Sequence, residues 1–508
     1  MSKTLIKNAV VYDGSGDRPY GADVLINGPV IEKIGARLVD WEAEIVEAGG
    51  KALAPGFINT HSHMEFAPFK TPDMFPSVSQ GITTECLGQD GSSVCPLTDA
   101  IARELADNMA PLAGTLPYAY PWRSFADYMK KVEEAKPACR MVSLVGEGTI
   151  RMNVMGSDNR RPTPKELKRM QDILAQCMEE GAKGMSLGLI YPPGSYAETD
   201  ELIAMAQVVA DYDGLIMVHM RNEKERLLES MDEMLEVIKA TGVRLQISHF
   251  KALGHDNWTK VDEGIAKLEN MAAFGYEVNC DQYPWSAACT GLKVCCPHWA
   301  FEGGEQGFQA RLKDLEQYAK ILAETEREIN VRGGGKSIML AAVATEEYQW
   351  MAGQTMDVIS EKLGMEVAPA VLHILQHEGP SVIAIYFSIS DEKVVDIMKT
   401  PYQVVCTDGI AGTHPHPRMY STYHRFLGHY VRELGVMSLE KAVHKITMEP
   451  ARRLRLWDRG LIREGMSADL VLFDPDMIKE GNSYVEPDAP SVGILKVWVL
   501  GEVKFEGQ

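Results

Sequence analysis

No two cysteines in this chain have CxxC spacing, nowhere do about 20 apolar residues run together, and basic residues are outnumbered by acidic ones, 51 to 71. Each absence excludes a class. Nine cysteines spread over 508 residues do not read as a disulfide framework or a zinc ribbon, and most read as small buried apolar groups. Without a long apolar run there is no candidate membrane span. The first residues, MSKTLIKNAVVYDG, have no apolar core of a secretory signal, so the expected location is cytoplasmic. A formal charge of −20 argues against a surface that tracks phosphates, since nucleic-acid binding needs clustered Lys and Arg to replace counterions. The expected partner is a small molecule, with no nucleic acid and no membrane; assembly as a homo-oligomer is left open. Low-complexity segments, charge blocks and repeats of 20 to 50 residues are also missing.

What is present is the composition of a folded chain, 45% hydrophobic and 24% charged. The first 50 residues and the last 50 alternate apolar and polar positions between glycine-containing turns, as in ADVLINGPVIEKIG and GILKVWVLGEVKFEG. Either half alone would leave strand edges open, so the two ends are expected to meet in one small β-sandwich. Between them, apolar runs such as GMSLGLIY, GLIMVHM, GVRLQISHF, YEVNCDQYPW and YQVVCTDG alternate with amphipathic helical stretches such as ESMDEMLEVIKAT. Buried strands alternating with helices make a parallel sheet, and eight such units would close a (β/α)8 TIM-type barrel. The expected domains are residues 1–56 and 456–508 for the sandwich and 57–455 for the barrel, with an insertion over the barrel mouth at about 286–339.

The chemistry concentrates at the ends of these runs, where barrel active sites lie. PGFINTHSHMEF ends an apolar run in His61 and His63, and two histidines at i and i+2 of a strand end can reach one ion; imidazole suits zinc. Packed or surface histidines are the plain alternative for that pair alone. His219 and His249 end two further runs, so four of thirteen histidines sit at strand ends. Asp408 ends YQVVCTDG and can both bind metal and take a proton from attacking water, although an Asp before Gly also caps turns. His414 and His416 in THPHPR are flanked by prolines and read as a loop near Asp408; His373 and His377 read as a helix surface, without the HExxH glutamate.

His61, His63, His219, His249 and Asp408, in that order, resemble the amidohydrolase superfamily. The flanking GITTECLGQDG, LVGEGTIRMNVMG, GMSLGLIYPPGSYAETDEL, HMRNE, SHFK, DQYPW and HPHPRMYSTYHRFLG are similar to the D-aminoacylase (N-acyl-D-amino-acid deacylase) family over nearly the whole chain. The resemblance implies one or two Zn2+ ions at the barrel mouth and hydrolysis of an N-acyl-D-amino acid to a carboxylate and a free D-amino acid. It implies a tighter position held by a second-strand cysteine with His219 and His249, and a weaker one held by His61, His63 and Asp408, the last also acting as proton carrier. Here the cysteine position falls on Asp90 of GQDG. Carboxylate is harder than thiolate, so another divalent metal is admitted; Cys86, deeper in the same run, is a less favoured replacement. The family's third-strand histidine falls on Glu147, a ligand or a hydrogen-bond partner of one. Lys183 lies at a strand start, away from the mouth, which disfavours a carboxylated bridging lysine. Lys251 and Tyr283 match substrate-carboxylate binders, and Tyr191 matches a pocket position. The family's arginine after that tyrosine has no match; Lys293 is the nearest cation. Hydrolysis of a cyclic imide, hydantoin or dipeptide is the alternative within the class, and a metal-free scaffold the alternative outside it.

Overall fold

The computed structural model describes residues 3–507. The middle of the chain is mixed α/β and the strand pattern follows the apolar runs. Leu215–His219 is buried at every position, as is Gly184–Gly188, because each strand is covered on both faces. Six strands pair in parallel: Gln403–Val405, Val278–Gln282, Arg244–Ile247, Leu215–His219, Gly184–Gly188 and Val145–Gly146. A second parallel sheet joins Phe57–Asn59, Ile82–Leu87 and Arg140–Ser143. Arg140–Ser143 runs through Leu144 into Val145–Gly146, and Ser62 forms a parallel bridge with Gly409.

The helices present one apolar face to these strands. Helix Leu227–Thr241 buries Leu227, Met231, Met234 and Ile238, spaced by three or four residues, while its acidic face stays outside. Each such side chain contributes about 1.5–3 kcal/mol by leaving water. Helix Pro164–Glu179 starts at a capping box in which Thr163 and Glu166 satisfy one another's backbone N–H groups.

The two chain ends join in one continuous eight-stranded sheet, where two packed sheets were expected. Ala52–Pro55 is the joint: it pairs parallel to Val10–Val11 and antiparallel to Leu470–Phe473. Alternation of period two sends Leu470 and Leu472 into one apolar cluster with Ile6, Val11 and Trp498, and Val471 and Phe473 into another with Phe57. The segment that interrupts the strand–helix alternation also runs beyond 286–339. An antiparallel sheet of Ala288–Gly291, Ile383–Tyr386 and Ile338–Ala342 carries it to residue 386. Ile383–Tyr386 lies in the middle of that sheet and is wholly buried, so its apolar run is the same as that of a parallel strand.

Candidate metal centre

The parallel register brings the strand ends into one layer. Gly188 pairs with His219 and Val218 with Ile247, which puts His249, two residues on, beside His219; their rings are 4.5 Å apart. Asp408 reaches the same layer because its N–H donates to His61 O at 3.0 Å, and Thr407 N–H to Asn59 Oδ1 at 2.9 Å. Asp90 arrives from the turn after Ile82–Leu87. That turn lies so close to the neighbouring strand that a Cβ on Gly188 would sit 1.9 Å from Asp90 O, so only glycine fits. Asp90, His249 and Asp408 all have positive φ, +53°, +37° and +45°. Non-glycine residues avoid this region, and clusters of such strain mark functional sites.

The result is two donor groups with one residue in common. One ligand atom each of His61, His63, Asp90 and Asp408 lies within 4.8 Å of the others, and the same holds for Asp90, His219 and His249. Asp90 Oδ2 is 3.6 Å from His63 Nε2, and Oδ1 is 3.4 Å from His249 Nε2, 3.6 Å from His61 Nε2 and 3.8 Å from His219 Nδ1. Asp408 Oδ1 is 3.3 Å from His63 Nε2 and 3.6 Å from His61 Nε2. All six residues are buried, yet both ring nitrogens of His61 and His219, His63 Nε2 and Asp90 Oδ1 have no hydrogen-bond partner. Buried polar atoms without partners are costly, and a divalent cation in each donor group would satisfy Asp90 Oδ1 and one nitrogen of each ring. Imidazole and carboxylate donors fit zinc and also harder divalent ions.

Electrostatics keep both carboxylates ionised beside the imidazoles. Burial raises the proton affinity of Asp90, but His61 and His249 outweigh it and hold the carboxyl well below the usual range. Burial likewise opposes ionisation of Asp408, and Arg418 followed by His61 overcomes it. Burial dominates at His219 and pushes it down to about 4, leaving a neutral imidazole with a free lone pair.

The surroundings separate the other sequence candidates. Tyr191, Lys251 and Tyr283 line a narrow cavity with Asp90, His219, His249 and Asp408, which shares Glu223, Leu253, Val294 and Arg332 with an outer cleft of about 1060 Å³. Tyr191 OH bonds Thr290 Oγ1 at 2.9 Å and its ring packs edge-on against His219. Tyr283 OH is buried without a partner. Lys251 Nζ reaches Glu223 Oε1 at 2.7 Å and His249 O at 3.1 Å, so its donors are largely engaged within the protein. Cys86 and Glu147 belong to neither donor group. Glu147 is buried beside Glu201 and Arg151, and burial followed by Glu201 raises its carboxyl to about 8. His416 Nδ1 accepts from Arg418 N–H at 3.0 Å, so the HPHPR loop supports the centre through Arg418; His373 and His377 are on helix Val367–Glu378, with His377 exposed.

Four residues escaped the strand-end reading. Glu223, four positions after His219 in HMRNE, stands behind His219 and His249. Asp281, before Tyr283, accepts from His249 N–H at 2.6 Å and lies 3.7 Å from His61 Nδ1. Arg418 pairs with Asp408, and Arg332 lines the cavity with its guanidinium over Tyr386. The first three were within quoted motifs, but nothing in their spacing distinguishes them from surface charges.

An α/β protein that gathers four imidazoles and two carboxylates at adjacent strand ends is built as a metal-dependent hydrolase. The amidohydrolase family pattern matches residues 44–287 and 379–505, and the chain belongs to that family. The residues between these two matches include two of the three strands of the antiparallel sheet, Ala288–Gly291 and Ile338–Ala342. The chain is 30% identical over 506 residues to the N-acyl-D-aspartate deacylase of Alcaligenes xylosoxydans xylosoxydans, covering 99% of this chain and 92% of that one. Its fold matches the crystal structure of N-acyl-D-glutamate deacylase from Bordetella bronchiseptica, complexed with zinc and a phosphonate mimic of the tetrahedral intermediate, with a TM-score of 0.86, 29% identity and coverage of 100% and 98%. It also matches a D-aminoacylase structure described as having a binuclear metal centre, with a TM-score of 0.84, 28% identity and coverage of 99% and 96%. Among the described residues no helix is long and apolar enough to cross a membrane.

Proposed function

We propose that this protein is a metal-dependent amide hydrolase that deacylates N-acyl-D-amino acids. The observation that carries the reading is the position of Asp90, common to both donor groups, in a chain whose full-length relatives are deacylases of this kind. His61, His63, Asp90 and Asp408 would hold one cation and Asp90, His219 and His249 the other. Bound zinc supplies hydroxide near neutral pH and polarises the scissile carbonyl.

The chain's own groups do the rest. Tyr283 OH and Arg418 Nε are buried donors without a hydrogen-bond partner, and together they suit a substrate carboxylate. Lys251 adds positive charge to the same wall, and Tyr191 bounds the cavity beside His219. Arg418 also holds Asp408 Oδ2 at 2.9 Å. A substrate carboxylate that shares this guanidinium weakens its hold, so Asp408 Oδ2 gains proton affinity as the amide arrives, takes a proton from the attacking water and delivers it to the leaving nitrogen. The narrow cavity wall excludes bulk water from this transfer.

The reading extends to architecture. Residues 57–455 form a closed eight-stranded barrel, a closure supported by the Ser62–Gly409 bridge, and residues 1–56 with 456–508 form the accompanying β domain. The test is elemental metal analysis with assay of N-acetyl-D- and N-acetyl-L-amino acids for wild type and Asp408→Asn. Bound metal with D-selective hydrolysis, lost in the variant, is expected. Bound metal without hydrolysis of either series would sink the substrate assignment.

A further inference from the structure

Arg332 caps the C-terminus of helix Leu315–Val331, inside the stretch that the family pattern leaves unmatched. It stands where the narrow cavity opens into the outer cleft, since it lines both, as do Leu253 and Val294. Its side chain is buried, with the guanidinium 5.1 Å from the centre of the Tyr386 ring, and Tyr386 is itself part of the cavity wall. Few of the five N–H donors are used. Nη2 donates to Val294 O at 3.3 Å, and Nε is buried without a hydrogen-bond partner. The counter-ion is divided: Glu328 Oε2 is 3.6 Å from Arg332 Nη2 but 2.6 Å from Lys224 Nζ, and neither cation has another carboxylate partner among the described residues. The Cys295 thiol beside the guanidinium is kept protonated by burial and brings no charge. Lys251, the other cation on the cavity wall, is already matched by Glu223.

We propose that Arg332 determines specificity by receiving a carboxylate on the substrate's side chain, so that the preferred substrates are N-acyl derivatives of acidic D-amino acids. This rests on the deacylase reading, with Tyr283 and Arg418 as holders of the α-carboxylate. With that group held and the amide at the metal centre, the substrate's side chain runs towards the opening, where Arg332 is the one cation among the described residues common to cavity and cleft. An open guanidinium edge pairs with a carboxylate through charge-assisted hydrogen bonds, and a neutral side chain leaves it unfilled. A simpler role is to pin the end of the helix to Glu328, one turn back, and to the Tyr386 ring. That role uses the charge and the flat face but leaves Nε buried without a partner.

The experiment measures kcat/KM of the metal-loaded full chain for N-acetyl-D-glutamate and N-acetyl-D-aspartate, each against its amide isostere, N-acetyl-D-glutamine or N-acetyl-D-asparagine. N-succinyl-D-leucine against N-acetyl-D-leucine tests for an anion on the acyl side. Wild type, Arg332→Met and Glu328→Gln are compared, with Tm and metal content measured for each. Wild type is expected to favour an acidic substrate over its isostere by ~10–100-fold, the range for one hydrogen bond to a charged group. In Arg332→Met the acidic substrate falls far more than the isostere and the ratio collapses towards one. In Glu328→Gln, where Arg332 loses its competing carboxylate, the ratio rises, so this variant decides if Arg332→Met does not fold. A wild type that favours the isosteres, an equal loss for both substrates in Arg332→Met, or an unchanged ratio in Glu328→Gln overturns the proposal. A preference for the succinyl substrate that Arg332→Met abolishes overturns it too, by placing the anion on the acyl group. Metal-loaded wild type that hydrolyses no N-acyl-D-amino acid overturns the deacylase reading, and this inference with it.

Discussion

Asp408 Oδ2 lies 2.9 Å from Arg418 Nη1, and the same guanidinium covers the Tyr283 ring at 4.3 Å. One buried cation thus ties the proton carrier to the group expected to hold the substrate. Arg418→Met removes both contacts and leaves Asp408 unpaired. Loss of one partner of a buried charge pair costs about 2–5 kcal/mol in binding, so KM for N-acyl-D-amino acids should rise steeply. Arg418→Lys should not restore it, because an ammonium cannot reach Asp408 and Cys289 O in the fixed fork that the guanidinium provides. Steady-state kinetics on an acylated amine without a carboxylate supplies the control: a KM rise of the same size there would contradict the carboxylate role.

Asp90 belongs to both donor groups, so Asp90→Ala should lower metal content at both positions, whereas His63→Ala should lower it at one. Asp90→Cys replaces a hard donor with a soft one and should raise preference for zinc over manganese. Competition between the two metals, read by elemental analysis, measures this. Unchanged selectivity would place Asp90 outside the coordination shell.

Gly188 has no room for a methyl group against Asp90 O. Gly188→Ala should cost about 1–3 kcal/mol or more through forced backbone shifts and should displace the Asp90 turn. The urea midpoint and the bound metal are expected to fall together. A stable variant with a full complement of metal would show that the turn can move without consequence.

Glu147 gives stability a pH dependence. Its carboxyl, raised by burial and then by Glu201 to about 8, keeps its proton in the folded state between pH 4.5 and about 8 while the unfolded chain releases it. The folded state binds more protons there, so this group's contribution is complete below about pH 4.5 and is lost as pH rises through about 8. Glu147→Gln is neutral at every pH and should remove that slope, its Tm relative to wild type improving from pH 5 to pH 8. Parallel Tm profiles across this window would contradict a buried, protonated Glu147.

Legibility in the sequence followed distance along the chain. The runs LIMVH and RLQIS read as buried strands because each stretch carries its own pattern, and His219 and His249 were visible as polar residues where such a pattern stops. Ile383–Tyr386 shows the limit. A short buried run has the same appearance in a parallel strand and in the centre of an antiparallel insertion, so local pattern could not bound that insertion. Lys251 shows another: its charge is visible in SHFK, but its engagement with Glu223, 28 residues away, is not.

By itself the sequence determined which residue types stand at strand ends, four histidines and the carboxylate Asp408, and its resemblance to the family singled out Asp90. Only the tertiary structure decided that Asp90 is common to two donor groups, that Arg418 holds Asp408, and that Glu223 and Asp281 stand behind different rings. The physical reason is that strand identity is set by local alternation of apolar side chains, whereas the meeting of residues 61, 90, 219, 249 and 408 depends on parallel register summed across many strands, which no short stretch of chain contains.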